Sequence, residues 1–292
     1  MQIIIDPNAS VCPGVRRAIR RAEEALKTRS LTSVGDIIHN REEVRRLEQR
    51  GLQTVEQERV VKGTVDVSGR HLFIRSHGVG EKILQRLTEG AASVTDGTCP
   101  RVRRIHRLVR GYAEKGYQIL IVGKVRHPEV IGISQECPGR QVVIEKEEDL
   151  DSIDRTQKSL LVAQTTIGRR LFEKMQKRIH ALVEELCVVD TLCEELDKRY
   201  QTIIDFARSV DVVLLVGGRQ SSNTNVLYQL CKQVNAHSYL IEKAAEIDPH
   251  WLSDAERIGI TGSASTPRWQ LDAVKFSFGN NVQKGVLNKK ED

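Results

Sequence analysis

Short apolar runs alternate with longer amphipathic segments along this chain. The apolar runs are rich in Val, Ile and Leu, which is typical of buried β-strands, whereas the segments between them carry apolar residues at helical spacing. This pattern predicts strands at residues 2–5, 31–34, 118–122 and 212–216, and helices at 15–27, 41–50, 172–186 and 199–210. Strands that alternate with helices indicate an α/β protein whose sheets are largely parallel.

Three cysteines recur at the same place in this alternation. Cys12, Cys99 and Cys193 each follow an apolar run and precede a predicted helix, at separations of 87 and 94 residues. A repeat at a nearly fixed period predicts equivalent structural units. We therefore expect three α/β lobes at residues 13–98, 99–192 and 193–287, with the N-terminal strand 1–12 completing the third and residues 288–292 forming a frayed tail.

Two further polar positions repeat in phase with the cysteines. The first lies 27 or 28 residues after each cysteine and the second 65 to 72 residues after it. The first set is His39, His127 and Ser221, and the second is His77, Thr165 and Ser265. Ligands of parallel α/β units bind beyond the carboxyl ends of the strands. If the three lobes pack around a pseudo-threefold axis, these loops form one shared site.

Composition narrows the class of ligand. The chain has 292 residues, a net charge of +6 and only 4% aromatic residues, so it lacks a stacking platform for single-stranded nucleic acid. An anionic small molecule or an acidic protein partner suits a basic protein better. No run approaches the roughly 20 apolar residues of a membrane span, and the N-terminus does not resemble a secretion signal, so we expect a cytoplasmic protein.

Three thiolates that converge from separate loops indicate a metal site. Soft thiolate ligands select zinc or an iron-sulfur cluster, and a structural zinc site usually uses paired Cys-x-x-Cys ligands, which this sequence lacks. A [4Fe-4S] cluster held by three cysteines leaves one iron open to substrate. We expect the other three cysteines to be small buried hydrophobes: Cys137, Cys187 and Cys231.

The repeated loops supply imidazole, hydroxyl and amide groups that suit a phosphate or diphosphate. These candidates are His39, His77, His127, Thr165, Ser221, Ser222, Asn223 and Ser265. Glu129 lies two residues beyond His127 and is the carboxylate best placed for proton transfer. Burial would raise the pKa of Glu129, as a general acid near neutral pH requires.

The chain resembles the LytB/IspH family over essentially its whole length. The resemblance rests on seven motifs: Cys-Pro-Gly-Val at 12–15, Ile-Ile-His-Asn at 37–40, Ser-His-Gly at 76–78, Asp-Gly-Thr-Cys-Pro at 96–100, His-Pro-Glu-Val at 127–130, Gln-Thr-Thr at 164–166 and Ser-Ser-Asn at 221–223. It implies a three-lobed fold around a [4Fe-4S] cluster held by Cys12, Cys99 and Cys193. The implied activity is reductive dehydroxylation of 4-hydroxy-3-methylbut-2-enyl diphosphate to isopentenyl and dimethylallyl diphosphate.

The same resemblance assigns roles to the loop residues. It implies that Thr165 orients the substrate hydroxyl and that Glu129 delivers protons, with His127 beside them. The implied diphosphate ligands are His39, His77, His127, Ser221, Ser222, Asn223 and Ser265. We expect ferredoxin or flavodoxin as the electron donor because the chain shows no glycine fingerprint for a nucleotide cofactor. We further expect a monomer or weak dimer.

The chain departs from the family pattern near two cysteines. Ser10 and Val11 replace the usual Gly-Phe before the first, and Glu194 and Glu195 follow the third where small or hydroxyl-bearing residues are usual. Carboxylates there would disfavour reduction of a negatively charged cluster. Two alternatives therefore stay open: a reductase of another allylic diphosphate, and a non-catalytic iron-sulfur sensor or drifted paralogue.

Overall fold

The computed structural model describes residues 1–287, and side chains as far as residue 279. The predicted frayed tail at 288–292 lies outside the described residues. The strands, in chain order, are β1 (Gln2–Ile5), β2 (Leu31–Val34), β3 (Leu52–Val55), β4 (His71–Ile74), β5 (Ser93–Asp96), β6 (Gln118–Val122), β7 (Gln141–Ile144), β8 (Ser159–Ala163), β9 (Leu186–Val188), β10 (Val212–Val216), β11 (Ser238–Ile241) and β12 (Arg257–Gly262).

Helices connect these strands. In chain order they are α1 (Pro13–Leu26), α2 (Arg41–Glu48), α3 (Gln57–Val61), α4 (Glu81–Gly90), α5 (Pro100–Glu114), α6 (Pro128–Ser134), α7 (Arg169–His180), α8 (Glu194–Arg208), α9 (Ser222–Val234) and α10 (Arg268–Leu287). Short 3-10 helices span Glu147–Ser152, Ala244–Glu246 and Pro249–Leu252. None of the helices within the described residues is long and apolar enough to cross a membrane.

The strands form three four-stranded sheets in which every pairing is parallel. The sheets have the orders β1-β12-β10-β11, β3-β2-β4-β5 and β7-β6-β8-β9. The interior strands β6, β8 and β10 are buried along their whole length, as expected for parallel strands covered on both faces. The predicted class of three α/β lobes with parallel sheets is confirmed.

The chain divides into two compact units. Unit 1 comprises Met1–Val15, Ile38–Arg46 and the chain from Lys198 onward, and it contains the first sheet. Unit 2 comprises Arg16–Ile37 and Leu47–Asp197, and it contains the other two sheets. Within unit 1, β1 pairs with β12. The residue boundaries expected for the three lobes stay a prediction.

One predicted helix is wrong at its end. The pattern at 172–186 predicted a continuous helix, but α7 ends at His180 and Leu186 begins β9. Val183 and Leu186 pack into the same core as α7, so their apolar character reflects a turn and an edge strand. Periodicity alone does not separate these alternatives in a short apolar run.

The predicted helix at 199–210 begins earlier in the structure. Helix α8 starts at Glu194, directly after Cys193, and its first turn contains Glu194, Glu195 and Asp197. Acidic side chains favour a helix N-terminus because they oppose the positive end of the helix dipole. The acidic pair that departs from the family pattern therefore also stabilises the start of α8.

Candidate active site and metal centre

Each candidate cysteine ligand lies at the N-terminus of a helix. The Cys12 Sγ accepts a hydrogen bond of 3.4 Å from the backbone N–H of Val15 in α1. Cys99 is the N-cap residue of α5. Cys193 directly precedes α8. Backbone N–H groups and the helix dipole stabilise a thiolate at this position, and a thiolate is the form that binds metal.

Cys99 and Cys193 both belong to unit 2, and their thiols are close enough to interact electrostatically. Burial raises the pKa of Cys193, and the neighbouring Cys99 adds to this rise. Hydrogen bonds from the backbone N–H groups of Leu196 and Glu195, together with the charge of Arg101, act in the opposite direction. Two adjacent thiolates repel each other, and a cation bound between them stabilises both negative charges. This pair of cysteines therefore fits a metal centre.

The other cysteines differ from these three. Cys137 and Cys231 are fully buried, and burial raises the pKa of each thiol to about 12. Such thiols stay protonated and unreactive, which confirms the prediction that they act as small hydrophobes. The prediction of burial is wrong for Cys187, because it lies in the edge strand β9, where it is only half-buried and its sulfur lies 3.1 Å from the Tyr112 hydroxyl.

Two candidate histidines meet within unit 2. The rings of His77 and His127 lie edge to face, with centroids 5.2 Å apart. His127 is the N-cap of α6, and its Nδ1 accepts a 3.2 Å hydrogen bond from the backbone N–H of Glu129. A neutral His127 ring with Nδ1 as the acceptor carries its proton on Nε2. That ring can therefore donate a hydrogen bond to an anion.

Glu129 and Thr165 form a buried pair, also within unit 2. Glu129 is 2% exposed, so it is not a solvated surface carboxylate. The backbone N–H of Thr165 donates to Glu129 Oε1 at 2.7 Å, and the Thr165 hydroxyl donates to Oε2 at 2.8 Å. Burial raises the pKa of Glu129, while the two hydrogen bonds from Thr165 and the charge of His106 limit the rise. The direction agrees with the prediction for a general acid.

Unit 1 brings the His39 loop next to the loop before α9. A Cβ atom at Gly218 would lie 2.3 Å from the His39 carbonyl oxygen, so only glycine permits this approach. The Asn40 amide donates to the Ser265 carbonyl at 2.9 Å and to Gln270 Oε1 at 2.7 Å. These contacts gather His39, Ser265 and the loop that contains Ser221 within one unit.

The start of α9 has the features of an anion site. Ser221 is the N-cap and accepts a 3.3 Å hydrogen bond from the backbone N–H of Thr224. Asn223 is buried, yet neither atom of its side-chain amide has a hydrogen-bond partner among the described residues. A buried amide without partners is costly, and helix N-termini bind anions readily. This arrangement fits a polar, negatively charged ligand.

Several supporting residues were missed by sequence reasoning. Arg199 in α8 is buried in unit 1, where it donates to Asp6 at 2.6 Å and to Thr261 at 2.5 Å. Asn40 appeared in a quoted motif, but nothing in the sequence indicated Gln270 as its partner. His106 is buried and bonded to Glu136.

The acidic residue next to Cys193 faces solvent. The Glu194 side chain is 72% exposed and lies 3.6 Å from Arg101 in an ion pair. Solvent screens an exposed charge of this kind. We therefore expect Glu194 to affect the candidate metal centre less than its position in the sequence suggested.

Comparisons with known proteins agree on one family. The family model described as LytB protein matches residues 3–278. Curated 4-hydroxy-3-methylbut-2-enyl diphosphate reductases from Aquifex aeolicus and Clostridioides difficile are each 35% identical over 94% of this chain, covering 95% and 98% of their own lengths. The chain is also similar to solved structures.

One of these is a structure of (E)-4-hydroxy-3-methyl-but-2-enyl diphosphate reductase, described as the terminal enzyme of the non-mevalonate pathway. It matches with a TM-score of 0.72 and 35% identity over 96% of this chain and 100% of the other. The corresponding reductase from Plasmodium falciparum matches with a TM-score of 0.81 and 25% identity over 94% and 86% of the two chains. From the family model, the curated relatives and the solved structures together, the chain belongs to the LytB protein family.

Proposed function

We propose that this protein reduces 4-hydroxy-3-methylbut-2-enyl diphosphate to isopentenyl diphosphate and dimethylallyl diphosphate, the terminal step of the non-mevalonate isoprenoid pathway. Family membership and the reductase relatives support this activity. Within the structure, the observation that carries the proposal is the buried Glu129–Thr165 pair. A protonated carboxyl group held beside a hydroxyl can donate a proton to a substrate oxygen as it leaves.

The LytB family consists of iron-sulfur proteins, and we propose that Cys12, Cys99 and Cys193 hold a [4Fe-4S] cluster here. The donor set fits, because all three thiols lie at helix N-termini that stabilise the thiolate form. When bound, such a cluster would supply electrons and a Lewis-acidic iron.

We propose that the polar loops bind the diphosphate of the substrate. In unit 1, Asn223 lies in the first turn of α9, and its buried side-chain amide offers hydrogen bonds that no described residue uses. In unit 2, the imidazoles of His77 and His127 offer further donors. The full proposed set is His39, His77, His127, Ser221, Ser222, Asn223 and Ser265.

Glu129 and Thr165 would act on the hydroxyl end of the substrate. Burial keeps a proton on Glu129 at a higher pH than on an exposed glutamate, so the group can donate near neutrality. The Thr165 hydroxyl bridges Glu129 and a substrate oxygen if it accepts from one and donates to the other. We propose that Glu129 delivers the proton, Thr165 orients the substrate, and His127 lies beside them.

The remaining expectations are proposals about the setting of the enzyme. We propose ferredoxin or flavodoxin as the electron donor, because either is an acidic carrier suited to a chain of net charge +6. A monomer or weak dimer and a cytoplasmic location complete the proposal.

Two other functions were open from the sequence: reduction of another allylic diphosphate, and a sensor or drifted paralogue without turnover. The relatives are named as reductases of one substrate, so neither alternative is favoured. A substrate panel with the reconstituted, anaerobic protein tests all three. We expect the highest kcat/KM for 4-hydroxy-3-methylbut-2-enyl diphosphate; a higher value for another allylic diphosphate would contradict the proposal.

A further inference from the structure

Helix α4 is capped by two residues that follow another helix of unit 2. Its N-cap residue, Gly80, offers no side-chain cap. Instead, the backbone N–H of Gly80 donates to Gln135 Oε1 at 2.7 Å, and that of Glu81 donates to Glu136 Oε1 at 3.0 Å. Both acceptors follow α6, the helix that begins after His127. The loop that carries His77 is therefore tied to the end of α6.

The packing at this junction is tight. A Cβ atom at Gly80 would lie 2.5 Å from the Cβ of Gln135, so only glycine permits this approach of the α4 N-terminus to the end of α6. The Glu136 carboxylate also lies at the positive end of the α4 dipole, where a negative charge is stabilising. Hydrogen bonds, packing and charge all fix the same contact.

The Glu136 carboxylate also joins helix α5 to this contact. His106 Nδ1 lies 2.8 Å from Glu136 Oε1, and Arg110 Nε donates to Oε2 at 3.1 Å. The Glu136 side chain is only 3% exposed, so water does not replace these bonds easily. Because an ionised carboxylate only accepts hydrogen bonds, His106 donates from Nδ1. One buried group thus connects α4, α5 and α6.

The His106 ring lies beside both the loop that carries His77 and helix α6. A Cβ atom would lie 3.4 Å from His106 Nε2 if placed on Gly78, and 3.3 Å from it if placed on Gly132. Gly78 directly follows His77 and has a φ of +72°, and Gly132 lies within α6. The His106 ring therefore packs beside both the His77 loop and α6 where these two approach each other, since a Cβ atom on Gly132 would also lie 3.4 Å from the Gly78 carbonyl oxygen. His77 and His127 meet near this junction.

We propose that Glu136 is a positioning residue for diphosphate binding. Through His106 and the backbone of Glu81, it holds His77 against His127 without itself touching the substrate. This inference rests on the proposed function, because it assumes that both histidines bind the diphosphate. The carboxylate of Glu129 is hydrogen-bonded to Thr165 and not to Glu136, and His106 reaches it only through its charge, which lowers the pKa of Glu129. At a pH where Glu129 stays protonated, the chemical step should therefore survive loss of the Glu136 carboxylate.

The first test replaces Glu136 and separates KM from kcat. Glu136→Ala should raise KM by about 10-fold and change kcat by less than about 2-fold, because it weakens binding and leaves the proton donor in place. The dissociation constant of inorganic diphosphate, measured by calorimetry, should rise in parallel. Glu136→Gln should give a smaller increase, because an amide oxygen still accepts from His106 and from the backbone of Glu81.

Glu81→Gln is the matched control. It removes a carboxylate from the same junction, where Glu81 pairs with Arg110 at 3.1 Å, but keeps the backbone N–H that Glu136 accepts from. The Glu81 side chain is 53% exposed, so KM should stay at the wild-type value. An equal rise in KM in Glu81→Gln and Glu136→Ala would overturn the assignment to Glu136.

The second test asks whether Glu136 acts through His77. In a His77→Ala background, Glu136→Ala should raise KM by less than about 2-fold, since the side chain that it positions is already gone. A full additional increase would overturn the proposal, and so would an unchanged KM in both Glu136 variants. If Glu136→Ala does not fold, Glu136→Gln decides by the same criteria. A wild-type protein without turnover would refute the proposed function instead, and the diphosphate dissociation constants would still decide the role of Glu136.

Discussion

Glu129→Gln tests the role of the buried carboxyl group. Glutamine has nearly the same shape, and its amide oxygen can still accept the 2.7 Å hydrogen bond from the Thr165 backbone. Only the bond from the Thr165 hydroxyl must reverse its direction, because the glutamine NH₂ donates. We therefore expect a folded protein, with at most about 1 kcal/mol lost from this hydrogen bond.

The catalytic effect should be much larger than the effect on folding. Glutamine cannot deliver a proton, and general acid catalysis contributes roughly 100-fold to 10,000-fold to a rate. With anaerobic holoenzyme and a low-potential reduced dye, kcat should fall by at least about 100-fold while iron and sulfide content stay unchanged. A wild-type kcat in Glu129→Gln would refute the proposed proton transfer.

The pH dependence gives a second check on Glu129. Burial raises the pKa of Glu129, so its proton is present below the raised pKa and is lost as the pH increases through it. In the wild type, activity that depends on this proton should decrease at alkaline pH. The pH–activity profile of Glu129→Gln should lack this alkaline decrease.

Stability should respond to pH in a related way. A group whose pKa is higher in the folded state than in the unfolded state stabilises the fold below the unfolded-state pKa. This stabilisation disappears as the pH rises through the folded-state pKa. Glu129→Gln has no such loss, so its Tm relative to wild type should increase with pH. A relative Tm that decreases with pH would show that the Glu129 pKa is not raised.

Two other substitutions test the metal centre and the anion site. Cys99→Ser should remove the cluster, measured as iron and sulfide bound after reconstitution. Cys137→Ser should keep it, because that thiol is fully buried and donates to the Ile133 carbonyl of α6. A full cluster in Cys99→Ser would contradict the ligand set. Asn223→Ala should raise KM by about 10-fold or more, because it removes the buried amide that we propose as a diphosphate ligand. Asn225→Ala is its control, because the Asn225 amide already donates to the Arg219 carbonyl at 2.9 Å; equal KM values in the two variants would rule out a specific role for Asn223.

Helices and strands could be predicted where the periodicity of apolar residues matches the burial of the element. Strand β10 is apolar along its whole length and β6 is apolar after Gln118, and both were predicted with their observed bounds. The end of α7 could not be predicted, because Val183 and Leu186 continue the helical spacing although they belong to a turn and a strand. Their place in the core depends on neighbours far away in the sequence.

The candidate site was predictable in its residue types but not in its connections. The phase of Cys99, His127 and Thr165 in the repeat indicated loops at strand ends, and the position of Glu129 suggested a proton donor. The bond between Asn40 and Gln270 joins residues 230 positions apart, and no periodicity reports such a pair. The same limit applies to Glu136, whose partners lie on two other helices.

The most direct test of the proposed activity is product analysis after anaerobic reduction of 4-hydroxy-3-methylbut-2-enyl diphosphate by the reconstituted protein. Chromatography with mass detection identifies the five-carbon diphosphates that form. We predict that the substrate is consumed over many turnovers and that both isopentenyl and dimethylallyl diphosphate appear. A protein that binds and reduces its cluster but leaves the substrate unchanged would contradict this account.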